Sequence, residues 1–318
     1  MSNASPKREG LLYGLIKRIR RFLDFIAALG ILVSKERRHS ARIGIFKKIK
    51  SWRSGFLSTS YLEYDLEKND RSKYISDYQR WVSIPRINEK YGILIADKLL
   101  INDVLHPYKS YLPDVYYYII NGVAVKASHQ VKGQELETFM RDQQVLVFKP
   151  RSGHGGRGVF VYEKNVQGSI LLNGKQFTQE QFDEWLLSLD NYIIMEFVSQ
   201  RGYASNIFAE TLNTVRILTI CDPQTKTAHI AAAAHRFGTK STIPADNWTA
   251  GGISTNIDLK TGVLSKSAIN PKGNKIEWIS EHPNSGKKID GVEIPNWKHA
   301  CNKICEIAEY LHYCPYIG

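Results

Sequence analysis

The residues best equipped for chemistry form one continuous run, Lys149-Pro150-Arg151-Ser152-Gly153-His154-Gly155-Gly156-Arg157-Gly158-Val159. An apolar segment, Val145 to Phe148, leads into the lysine, and another, Val159 to Tyr162, follows the last glycine. Glycines at this density let backbone N–H groups approach and surround phosphate oxygens, while Lys149 supplies a point positive charge. The run is not a P-loop, because no Gly-Lys-Ser/Thr and no helix follow it, and the dinucleotide fingerprint needs a strand–turn–helix context. A hairpin closing over phosphates from above is the remaining phosphate-binding geometry. The competing reading is a mobile glycine-rich hairpin without a ligand.

Strand and helix signals that could position this loop alternate from residue 90 onward. Val145–Phe148 and Val159–Tyr162 are short apolar runs consistent with buried strands. Asn173-Gly174 is a hairpin signal between Ile170–Leu172 and Phe177. Thr178 with Gln181 forms a capping box that opens a helix carrying Phe182, Trp185, Leu186 and Leu189 on one face. Strands are expected at Tyr192–Met195, Val215–Cys221, Ile230–Ala234 and Ile253–Ile257. A last helix, Trp297 to Leu311, has Trp297, Ala300, Cys301, Ile304, Ala308 and Leu311 on its apolar side. Hairpins mixed with helices predict an α+β or mixed α/β enzyme and not a doubly wound sheet.

Charge is distributed unevenly. The net charge is +12, yet residues 1–53 hold 14 Lys/Arg against Glu9, Asp24 and Glu36, and the other 265 residues carry 29 cations and 28 acids. Residues 1–57 therefore read as a basic helical arm. Leu11, Leu12, Leu15, Ile16, Ile19, Phe22, Leu23 and Ile26 recur at helical spacing among Lys17, Arg18, Arg20 and Arg21, and Ile43, Phe46 and Ile49 recur among Lys47, Lys48 and Lys50. Two readings stand: an arm over residues 11–50 lying on an anionic membrane surface, or one docking its apolar stripe on the body. Its aromatics lie with the apolar residues and do not interleave as a stacking platform, so no nucleic-acid partner is expected. The longest apolar stretch, Phe25 to Val33, is too short to span a bilayer. Arg37-Arg38 follows it without a small-residue cleavage site, which argues against a signal peptide. Cys221, Cys301, Cys305 and Cys314 are expected to be reduced thiols of a cytoplasmic protein.

Lys149-Pro150 and its loop resemble the second nucleotide lysine and flexible loop of the ATP-grasp superfamily. Further matches follow in order. Asp97-Lys98 resembles the first nucleotide lysine, and Ile193-Ile194-Met195-Glu196-Phe197-Val198 resembles the hinge strand. Asn213-Thr214-Val215-Arg216-Ile217, His235-Arg236, Asp246-Asn247 with Gly251-Gly252-Ile253, Asp258 with Thr261-Gly262, His282 to Gly286 and Ile294 to Trp297 are similar to motifs of sugar-transfer-associated, α-L-glutamate-ligase-related members. The resemblance covers about residues 55–318.

It implies an α+β ATP-grasp domain over 58–318, with a nucleotide subdomain at about 90–200 and a second subdomain at 201–318. It also implies ATP and Mg2+ as cofactors, and transfer of the γ-phosphoryl group to a small-molecule or glycan-linked carboxylate, followed by attack of an amine or hydroxyl. Lys98 and Lys149 would hold the α- and β-phosphates. The loop Ser152, Gly153, Gly155, Gly156, Gly158 would exclude water from the acyl phosphate. Glu196, Phe197 and Val198 would meet adenine, with a structural cap as the alternative for Glu196. Arg216 and Arg236 would face the transferred phosphoryl group, or else serve as strand-end cations in ion pairs. Asn247 would line the acceptor side, and Glu210 is a candidate for the ribose. In the proteins it resembles, the magnesium ligands follow a segment like Pro315–Gly318. Those ligands are expected beyond Gly318, which favours a fragment over a non-catalytic nucleotide-binding relic. Cell-envelope or exopolysaccharide synthesis, at the inner face of the membrane, is the implied context.

Overall fold

A computed structural model describes residues 19, 23, 25–38, 40–127, 135–153, 155–165, 168–269 and 276–318. The helical stripe expected at Leu11–Phe22 lies outside the described residues apart from Ile19, and so does His154. The chain divides into two compact units, Met1–Ile87 with Pro271–Ile276, and Asn88–Asn270 with Glu277–Gly318.

In the first unit, residues 25–38 are helical, followed by α1 (Ile45–Arg53) and α2 (Ser58–Glu63). Phe56, Tyr61 and Leu66 form a small core with Ile43, Tyr64 and Tyr74 against it. Buried polar ties close the chain over that core. The Glu36 carboxylate accepts from the N–H and hydroxyl of Ser58, and Asp77 accepts from the Leu57 N–H at 2.8 Å. Residues 58–87 belong to this first compact unit.

The second unit holds two antiparallel sheets. The first contains β1 (Val115–Ile120), β2 (Val123–Lys126), β3 (Val145–Pro150), β4 (Phe160–Lys164), β5 (Ile170–Leu172), β6 (Lys175–Phe177) and β7 (Tyr192–Glu196), in the order β2-β1-β7-β3-β4-β5-β6. Its helices are α3 (Gly92–Ala96), α4 (Lys98–Val104), α5 (Leu136–Asp142) and α6 (Gln179–Leu187). Side chains alternate across the pleat. Tyr117, Ile119, Leu146, Phe148 and Ile194 pack one face against Phe139 and Met140 of α5 and Phe182 of α6. Val147, Ile193 and Met195 occupy the other face, with Leu99 of α4 against them. The Thr178–Gln181 capping box forms as its spacing predicts, and Asn173-Gly174, both at positive φ, turn β5 into β6.

The second sheet, in the order β12-β11-β10-β9-β8-β13, consists of β8 (Val215–Cys221), β9 (Ala228–Phe237), β10 (Ile253–Ile257), β11 (Leu264–Ile269), β12 (Glu277–Ile279) and β13 (Tyr316–Ile317). α7 (Gly202–Ile207) and α8 (Trp297–Tyr310) complete it. One face buries Ala233, Phe237, Ile253 and Ile257 against Ile207, Ile289 and Trp297. Beside β13, the Asn88 side chain behaves like a strand partner: its amide donates to the Tyr316 carbonyl at 2.7 Å and accepts from the Tyr316 N–H at 3.1 Å. Antiparallel sheets with helices segregated on their faces make an α+β fold.

Candidate functional site

Lys149 lies near the end of β3, opposite Ile193 of β7. The alternation that buries Phe148 on one face directs Lys149 to the face of Val147, Ile193 and Met195, which α4 covers through Leu99. No described residue accepts a hydrogen bond from its amine. Burial, and then the neighbouring Lys98 ammonium, bring that amine down to about 8. Lys98, Lys149 and Arg151 face the single carboxylate of Asp97, which Arg151 already engages, and the excess of positive charge suits an anion.

Lys98 opens α4. Asp97 caps the helix, its carboxylate accepting from the Leu99 and Leu100 N–H groups and from the Arg151 guanidinium at 2.7–2.8 Å. Those Arg151 bonds, foremost, hold the Asp97 carboxyl below its ordinary range. The Lys98 ammonium donates to the carbonyls of Pro150 and Gly153, both at 3.0 Å, and burial lowers its pKa. Asp97-Lys98 and the glycine hairpin are therefore one assembly. An aspartate just before a helical run is a capping signal; its bond to Arg151 had no sequence signal.

The hairpin docks on a loop of the second sheet. The Asn247 amide donates to the Gly155 carbonyl at 2.6 Å. At Gly156, φ is +69° and an added Cβ would stand 2.8 Å from that of Ala245. At Gly158, φ is +70° and a Cβ would stand 2.7 Å from the Tyr192 hydroxyl. Only glycine meets both conditions at these positions. Ser152 and Gly153 are exposed at the hairpin's edge.

From Asn247 the connection continues to the arginines. Asn247 caps the turn Trp248–Ala250, and its neighbour Asp246 accepts from the N–H and hydroxyl of Thr214, two residues before Arg216. Arg216 pairs with Ala234, and Arg236 lies two residues further along β9. Val215, Ile217 and Phe237 face the core, so Arg216 and Arg236 leave the opposite face as diagonal neighbours, about 7 Å apart at Cβ. Between them and the core, His235 donates through Nδ1 to its neighbour's carbonyl, and its Nε2 accepts from the Tyr203 hydroxyl at 2.7 Å. Burial takes His235 down to about 4 and Tyr203 up to about 12, so this pair stays neutral and structural. Asn213 has the same kind of role, with both ends of its buried amide bonded.

Glu196 lies on the Ile194 face of β7, opposite to that of Lys149, and its carboxylate accepts from the Asp114 N–H at 3.1 Å. Phe197 and Val198 follow, 40% and 42% exposed. They lie past the end of the strand, four and five residues beyond Ile193, the partner of Lys149, or about 13–17 Å along it, with the loop of exposed Glu210 further on. The structure thus brings together Lys98, Lys149, the glycine hairpin and Asn247, and sets Arg216 beside Arg236. It does not direct the Glu196 carboxylate to the lysines.

Two antiparallel α+β subdomains, with a lysine pair and a glycine hairpin of one docked on a loop of the other, define an ATP-grasp fold. A model of the sugar-transfer associated ATP-grasp family matches residues 78–318, and the chain belongs to that family. A comparison with curated proteins found no match. The fold generally binds ATP with Mg2+ and carries ATP-dependent, ligase-type chemistry. The residues present suit nucleotide phosphates: two adjacent ammonium groups beside a hairpin in which Gly153, Gly155, Gly156 and Gly158 all take positive φ. Among the described residues, no group of three or more His, Cys, Asp or Glu could hold a metal ion.

Proposed function

We propose that the chain is an ATP-dependent ligase: ATP phosphorylates a carboxylate to an acyl phosphate with release of ADP, and an amine or hydroxyl acceptor then attacks the acyl carbon and displaces inorganic phosphate. Lys149 carries this reading: a half-buried ammonium beside a second one, with no hydrogen-bond acceptor among the described residues. Bound ATP supplies the phosphoryl group. Lys149 and Lys98 neutralise its phosphate oxygens, and Phe197 and Val198 receive the base. The hairpin 152–158, held by Asn247, keeps water from the acyl phosphate. Arg216 and Arg236 stabilise charge on the transferred group, where positioning and electrostatics account for most of the catalysis. The substrate is a small-molecule or glycan-linked carboxylate of cell-envelope or exopolysaccharide synthesis, a context suggested by the family's association with sugar transfer.

The test is ADP release with Mg-ATP over a panel of carboxylates, with hydroxylamine as the acceptor. Carboxylate-dependent ADP release with formation of an acyl hydroxamate, both lost in Arg216→Ala, is expected. Nucleotide binding without ADP release for any carboxylate would instead assign a non-catalytic nucleotide-binding protein.

A further inference from the structure

In the first unit, α2 buries Tyr61 in the small core, but α1 and the helical stretch before it turn their large apolar side chains outward. A helix stabilised by packing normally buries its large apolar residues. α1 does the reverse: its one buried side chain is Ser51, whose hydroxyl donates to the Phe56 carbonyl at 2.9 Å. Ile45, Phe46, Ile49 and Trp52 are 58%, 85%, 43% and 45% exposed. Helical spacing puts these four within an arc of about 120°. The preceding helical stretch is similar, with Ala28 buried and Phe25, Ile26 and Leu29 half exposed or more.

Charge indicates what covers this surface. Arg53 lies within the apolar arc of α1 and Lys50 next to it, in a segment with 14 cations and three acids over residues 1–53. One of those acids, Glu36, is already bonded to Ser58 and Lys48. A second copy of the chain would set two such cationic segments against each other, whereas an anionic lipid surface complements both the charge and the apolar side chains. The geometry also fits a helix lying in the interface: nine residues extend only about 14 Å, and no described helix is long and apolar enough to cross a membrane. Trp52, at the edge of this surface, is held on the protein, its indole N–H donating to the Glu36 carboxylate.

We propose that residues 25–53 are a peripheral anchor that lies on anionic bilayers, inserting Phe46 and Ile49 and setting Lys50 and Arg53 among the headgroups. The inference does not rest on the ATP-dependent reading, since it concerns a different surface and a different readout.

The test is co-sedimentation of the full chain with vesicles of phosphatidylcholine alone, and of phosphatidylcholine with phosphatidylglycerol. Binding to the anionic vesicles at least about tenfold tighter than to the neutral ones, weakening with added salt, is expected. The double variant Phe46→Ser/Ile49→Ser should lose at least about tenfold in affinity, and Lys50→Glu/Arg53→Glu at least as much. Phe46 and Ile49 point outward, so the serine variant should keep the parent's thermal midpoint. Lys50 and Arg53 occupy the last turn of α1, so the charge-reversed variant should unfold a few degrees lower while staying folded at the assay temperature. Equal binding to both vesicle types, no binding, or serine variants that bind like the parent would overturn the proposal. So would a concentration-dependent dimer that the serine variant abolishes, which would assign the surface to a second copy.

Discussion

Lys149 and His235 show how burial sets the chemistry of single residues. Phosphate favours the charged form of Lys149, whose amine titrates at about 8 without ligand. ATP affinity should therefore be flat below pH 8 and fall by up to tenfold per pH unit above it, measured by calorimetry across pH 6.5–9.5. The same shift destabilises the ligand-free fold. The unfolded amine, at 10.5, binds its proton more tightly than the folded one, so the penalty is complete below pH 8 and lifts as pH rises toward 10.5. Lys149→Met should raise the unfolding midpoint at pH 7 while removing nucleotide binding, a trade expected where a site needs an unpaired charge. His235 acts in acid. Its folded value of about 4 lies below the ordinary 6.5, so unfolded chains take up protons first and stability falls between pH 6.5 and 4, by on the order of 3 kcal/mol. His235→Gln should flatten that stretch of the pH–stability curve in urea titrations.

At the scale of elements, the hairpin 150–158 couples the two sheets through positions where only glycine fits. Gly158→Ala places a methyl against the Tyr192 hydroxyl and forces alanine into positive φ, at about 1–2 kcal/mol for the backbone alone. ATP affinity should drop roughly tenfold, with a smaller change in thermal midpoint. Adding Tyr192→Phe should restore part of the loss by removing the clashing oxygen. Most elements were legible because their signals are local: the Thr178–Gln181 capping box, the Asn173-Gly174 turn, and the apolar runs of β3, β4, β7 and β8. The β1–β2 hairpin had equally plain signals, Val115–Ile120 and Asn121-Gly122. The opposite face taken by Glu196 depends on strand register, which pairing sets and motif order does not.

Across the whole molecule, the family resemblance over about 55–318 is matched by the family model over 78–318. What the sequence could not reveal was mostly long-range. The Asp97–Arg151, Asn247–Gly155 and Thr214–Asp246 contacts join residues 32 to 92 positions apart, and such pairing leaves no periodic trace. Several motifs that suggested chemistry position it instead: Asn213 holds the start of β8, and His282 stacks on Phe208 while donating to the Gly238 carbonyl at 2.8 Å. In the proposed function, Lys149 and its hairpin hold the nucleotide phosphates, and the decisive experiment is calorimetric titration of Mg-ATP into the chain and into Lys149→Ala. Saturable binding to the parent, weakened at least a hundredfold in a variant with an unchanged or raised thermal midpoint, is the expected result, since one charge-assisted phosphate contact contributes about 3 kcal/mol. Equal binding by parent and variant would contradict it.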